Sequence, residues 1–138
     1  MILYGKEVDF MIKILCETMT NSYDSSLKVK IMEYDSLESF KVEVLKHYPK
    51  VSVSLPKENE ELWFGIQYGS TSDGFWFRWL MAIVDTERGC LYSRGDNDCV
   101  SYFGLPKGKQ HCSKEVYTML KEIKDYVDSR KQNVVFVE

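Results

Sequence analysis

The chain has 138 residues, 44% of them hydrophobic and 14% aromatic, with a formal net charge of −3. That is enough apolar material for one continuous core, which excludes a disordered chain and predicts a single globular domain over residues 1–138. The acidic balance lacks the basic excess of a nonspecific nucleic-acid binder, so direct nucleic-acid binding is not expected.

The first stretch, MILYGKEVDFMIKILCETM, is interrupted by Lys6, Glu7, Asp9, Lys13 and Glu17. It reads as neither a signal peptide nor a spanning helix, and no membrane association is expected. Without an export signal, Cys16, Cys90, Cys99 and Cys112 are expected as reduced thiols in a cytoplasmic protein.

In chain order, Val8, Met11, Ile12, Leu15 and Met19 recur at helical spacing and predict a helix over residues 7–19. LKVKIMEY alternates, with Leu27, Val29 and Ile31 expected on the buried side of a strand and Lys28 and Lys30 outside. DSLESFKVEVLKHYP predicts a second helix, capped by Asp35 with Glu38 three residues on, striped by Leu37, Phe40, Val44 and Tyr48, and ended by Pro49. Residues 51–55 alternate as a short strand. Residues 62–68 and 75–84 form a hairpin across GSTSDG, and DTERG turns a second hairpin from Val84 to Cys90. Residues 99–103 are expected as an edge strand, and VVFV (134–137) as a final strand or docked tail. Ser113 caps a last helix whose buried face is Val116, Leu120, Ile123 and Val127. The order predicts an α+β fold: one antiparallel sheet of about five or six strands, with three helices packed mainly on one face.

The densest aromatic stretch, residues 62–80, holds all three tryptophans. A six-residue loop places Tyr68 opposite Phe75, Ile66 opposite Phe77, Phe64 opposite Trp79 and Leu62 opposite Met81, a wholly apolar core face. The other face then carries Trp63, Gln67, Trp76 and Arg78. With Ala82 opposite Tyr92 and Leu80 opposite Arg94, it also gains Tyr92 and Arg94 around Gly65 and Ala82. Trp, Tyr and Arg dominate binding hot spots, so these six residues form the expected recognition surface. A one-residue slip would exchange the two faces.

Other constellations are weaker. Cys90, Cys99, His111 and Cys112 lack the paired short spacing of a zinc site. His111 and Cys112 lie before the last helix, where a helix N-terminus lowers a thiol's pKa, but no oxyanion motif accompanies them. Asp96 and Asp98, with Asp73 and Asp85 nearby, fail the EF-hand spacing and read as turn residues. GLPKGK (104–109) departs from the phosphate-loop spacing, and Glu122 and Lys124 read as solvated helix charges.

No catalytic residue, metal or cofactor is therefore expected. The first expectation is a non-enzymatic protein that occludes a protein partner stoichiometrically, as inhibitors and immunity proteins do. The acidic loops at Glu58, Glu60 and Glu61 and at Asp96 and Asp98 would suit a basic partner such as a toxin or nuclease. The alternative is a small-molecule or nucleotide-binding domain, and thus an enzyme candidate, with a pocket over Gly65. A third is self-association through the open face or last strand.

Overall fold

A ten-residue central strand, β5 (Trp76–Asp85), organises the molecule. The computed structural model describes residues 11–19, 28–55, 65–70, 76–95, 98–105 and 111–132. β1 (Ile12–Met19) runs antiparallel along one side of β5 for its whole length. The other side is shared: β4 (Gly65–Ser70) pairs with the first part of β5 and β6 (Gly89–Ser93) with the last part. β2 (Lys28–Tyr34), β3 (Val51–Ser54) and β7 (His111–Cys112) extend β1, β4 and β6 respectively, giving an antiparallel sheet of seven strands. Three helices complete the α+β domain: α1 (Leu37–Leu45), α2 (Asp98–Phe103) and α3 (Lys114–Gln132).

Alternate strand residues go to opposite faces. On the first face Ile14, Cys16, Tyr68, Leu80, Ile83 and Tyr92 meet Phe40 and Val44 of α1 and Val116, Leu120, Ile123 and Val127 of α3. Phe40 is fully buried, its ring edge-on to Tyr34 at 5.3 Å and to Tyr68 at 6.2 Å. On the second face Leu15, Met81, Ala82 and Val84 pack beneath Cys99, Phe103 and Leu105. α1 and α3 thus cover one face, while α2 covers part of the other.

The helix expected over residues 7–19 is a strand from Ile12 onward. Ile12, Ile14, Cys16 and Thr18 are all buried at a period of two. Leu15 is buried on the opposite face, and this double-sided burial mimics a helical stripe. The register shifts between Leu15 and Cys16, a bulge that places both Met81 and Ala82 on the second face.

β2 is a strand as expected, but its faces are reversed. Met32 and Tyr34 pack on the core, while Val29 and Ile31 are 41% and 45% exposed. The expected edge strand at 99–103 is α2, because Cys99 and Phe103, four residues apart, both pack on the second face. The α1 cap is Ser36 rather than Asp35: its hydroxyl accepts from Ser39 N–H at 3.1 Å, and Asp35 instead accepts from the Ser39 hydroxyl. α3 is as expected, with Ser113 Oγ accepting from Val116 N–H at 3.2 Å. The segment 134–137 lies outside the described residues.

Candidate functional site

The hairpin register decides which residues share a face. β4 continues to Ser70, and pairing runs Gln67 with Trp79, Tyr68 with Arg78, Gly69 with Phe77 and Ser70 with Trp76. Tyr68 was expected opposite Phe75; the observed pairing is displaced by three residues. An odd displacement exchanges the faces. In the second hairpin Val84 pairs with Cys90 as expected, but a bulge follows and Tyr92 pairs with Ile83 rather than Ala82.

These shifts divide the expected recognition surface. Tyr92 is fully buried in the helix-side core. Arg78, opposite Tyr68 and Thr18, is on that same side. Burial pushes the Cys16 thiol up to about 12, against the opposing pull of the Arg78 charge. Burial likewise raises the Tyr68 phenol, with Arg78 again opposing. Arg78 therefore stands at the margin of the main core. Trp76 begins β5 and pairs in register with Ser70, and Trp63 lies outside the described residues.

Gln67 and Arg94 remain on the second face, with different companions. One row across the sheet runs Val29, Glu17, Trp79, Gln67 and Ser52; the next pairs Met19 with Phe77 and Phe77 with Gly69. Phe77 and Trp79, two residues apart on β5, have ring centroids 6.2 Å apart. Both are half-buried, as are Met19 and Gln67. Arg94 donates from Nη1 to Glu17 Oε1 at 2.8 Å, and its Nη2 lies 3.8 Å from Asp98 Oδ2. The guanidinium thus sits between two carboxylates, which disfavours the phosphate or carboxylate contact expected of it. The face is an aromatic pair flanked by Val29 and Ile31, with a Glu17–Arg94 ion pair at its centre.

Phe77, Trp79, Glu17 and Val29 were not among the expected site residues. The available signal was the alternation of Lys28, Val29, Lys30 and Ile31: an edge strand beyond the helices leaves its β-branched residues outside as well as its lysines.

The acidic contacts fare unevenly. Glu58, Glu60, Glu61 and Asp96 lie outside the described residues. Asp98 opens α2 and is buried beside Arg94, so it is not an open acidic loop residue. Asp85 organises the β5–β6 turn, accepting from the Glu87 and Arg88 N–H groups at 2.7 and 3.0 Å and from Arg88 Nε at 3.1 Å. Burial pushes its carboxyl up, but those hydrogen bonds and the Arg88 charge together hold it below the usual carboxylate range.

A cleft among the described residues lies beside the β5–β6 turn, a space of about 450 Å³ lined by Lys13, Val84, Asp85, Arg88, Phe103 and Leu105 among others. Its cations are matched: Lys13 lies 3.9 Å from Glu33, and Arg88 pairs with Asp85 and Glu115.

His111 and Cys112 are neighbours on β7 and so lie on opposite faces. Cys112 pairs in register with Tyr92 and packs on the helix-side core, where burial pushes its thiol up to about 11 rather than down. Cys90 and Cys99 pack on the second face, so the sheet separates them from Cys112. No metal-holding group of His, Cys, Asp and Glu occurs among the described residues. Glu122 pairs with Lys41, and Lys124 with Asp128, as ordinary helix-surface charges. Residues 106–110 of the glycine-lysine loop are outside the described residues. Among the described residues no helix is long and apolar enough to cross a membrane. Comparison with protein-family models, with curated proteins and with solved structures finds no match for this chain.

Proposed function

We propose that the chain is a non-enzymatic binding protein that occludes a protein partner with the second sheet face, around Phe77, Trp79 and Gln67. The observation that carries this reading is the placement of two large aromatic rings side by side where α1 and α3 do not reach and α2 covers only the far end. A half-buried tryptophan beside a phenylalanine supplies large rigid apolar area with a polar N–H, the composition of an interface anchor. Gln67, Ser52 and the Glu17–Arg94 pair give the polar surround that orients a partner. The action is stoichiometric, as in inhibitors and immunity proteins.

The cleft at the β5–β6 turn is within the size range of small-molecule sites, about 300–1,000 Å³. Its two cations, Lys13 and Arg88, are already paired with carboxylates, so an anionic ligand there has less support.

Affinity capture on the tagged full chain tests the proposal. A partner is expected at one-to-one stoichiometry. The Phe77→Ala, Trp79→Ala double variant, folded by circular dichroism, is expected to bind it at least about tenfold more weakly, some 1.4 kcal/mol. Equal recovery by both proteins would remove this face as the contact.

A further inference from the structure

Two of the four cysteines are brought together. Cys99 Sγ on α2 lies 3.1 Å from Cys90 Sγ on β6, its S–H directed at that sulfur. This is about 1 Å beyond the ~2.05 Å of a disulfide bond. Only nine positions separate the two residues in sequence. The other two thiols do not compete, because Cys16 and Cys112 pack on the helix side of the sheet. Cys90 is half-buried and Cys99 is 1% exposed, so an outside reagent meets Cys90 first. The cleft beside the β5–β6 turn is lined by the Cys90 neighbours Val84 and Gly89.

We infer that Cys90 and Cys99 are a modification site: a dithiol that a low-molecular-weight disulfide converts to an intramolecular disulfide tying α2 to the sheet. The chemistry is two thiol–disulfide exchanges. Cys90 gives up its proton and its thiolate attacks one sulfur of the reagent. The reagent's S–S bond breaks, a mixed disulfide forms on Cys90, and the departing thiolate takes up the proton. Cys99 then gives up its proton and attacks Cys90 Sγ. The second reagent thiolate leaves and is protonated in turn. Two protein thiols are oxidised and one reagent disulfide is reduced to two thiols. Burial foremost, and then the hydrogen bond and charge of Cys90, together push the Cys99 thiol up to about 12. Capping of Cys90 in the first step removes both Cys90 contributions, which favours the second. The bond would fix α2, the only described helix on the second face, against β6.

The test is incubation of the full chain with glutathione disulfide, followed by acid quench, alkylation after unfolding, and peptide mapping without reductant. The expected product is one intramolecular Cys90–Cys99 link, reversed by dithiothreitol, with Cys16 and Cys112 alkylated. The Cys99→Ser variant is expected to stop at a glutathione adduct on Cys90, and Cys90→Ser to form no link. Should either variant fail to fold, the wild-type map alone decides. Four alkylated thiols in the wild type, a stable adduct on its Cys90, or a link using Cys16, Cys112 or a second molecule would overturn the inference.

Discussion

The two faces of the sheet are drawn from alternate residues of the same strands, yet they reach different ends. On the helix side Cys16, Tyr68 and Leu80 are closed beneath Phe40 and the apolar stripe of α3. On the other side their chain neighbours Glu17, Gln67 and Trp79 are left half-covered. The contrast shows how little sequence distance separates a core residue from a residue of the proposed binding face. In a strand the two are adjacent, and pairing register alone decides which is which.

The contrast breaks most sharply at Phe40. Its truncation to alanine leaves a cavity between Tyr34 and Tyr68 and is expected to cost ~3–5 kcal/mol in chemical denaturation. A loss below ~1 kcal/mol would mean that the helix side is not the closed face.

Asp85 holds the turn from which the β5–β6 register starts. Asp85→Asn is expected to cost about 1–2 kcal/mol at neutral pH, from the lost charge-assisted hydrogen bonds to two backbone N–H groups and the Arg88 side chain. Its folded pKa lies below the unfolded value of about 3.9, so the native state favours the carboxylate. The stabilisation is therefore complete above that unfolded value and is lost as pH falls through the folded one. Denaturation at a series of pH values should show the gap between parent and variant closing below about pH 4. A constant gap would assign the effect to geometry instead of charge.

Ser113→Ala removes the α3 cap and is expected to cost about 1 kcal/mol. Smallest of all, Ile31→Thr on the open part of β2 should change stability by no more than ~0.5 kcal/mol, since 45% of that residue is already exposed. A larger loss would place Ile31 in a covered core and remove the contrast.

Much of the fold was legible where one period stood alone. Val116, Leu120, Ile123 and Val127 mark α3 because the opposite face of that helix is charged. Lys28 to Tyr34 mark β2, although which face was buried depended on how far α1 reached. β1 was not legible, because Val8, Ile12, Leu15 and Met19 fit a helix as well as Ile12, Ile14, Cys16 and Thr18 fit a strand. A central strand buried on both faces hides its alternation. The candidate site suffered most. A strand extended to Ser70 and a bulge beside Leu91 each shift the pairing by an odd number, and each sends alternate residues to the other face. Glycines at 69 and 74 suggested a loop boundary, but Gly69 lies within β4, where its N–H donates to Lys50 O at 3.0 Å. The paired thiols of Cys90 and Cys99 could not be found from spacing either, since they depend on α2 folding back over β6.

Hydroxyl-radical footprinting of the free chain and of its captured complex, read by peptide mass spectrometry, tests whether the second sheet face is the contact. Trp79, Phe77 and Met19 are expected to be oxidised in the free protein well ahead of Phe40 and Tyr92, and to be protected when the partner binds. Trp79 as slow as Tyr92 in the free protein, or unprotected in the complex, would contradict that assignment.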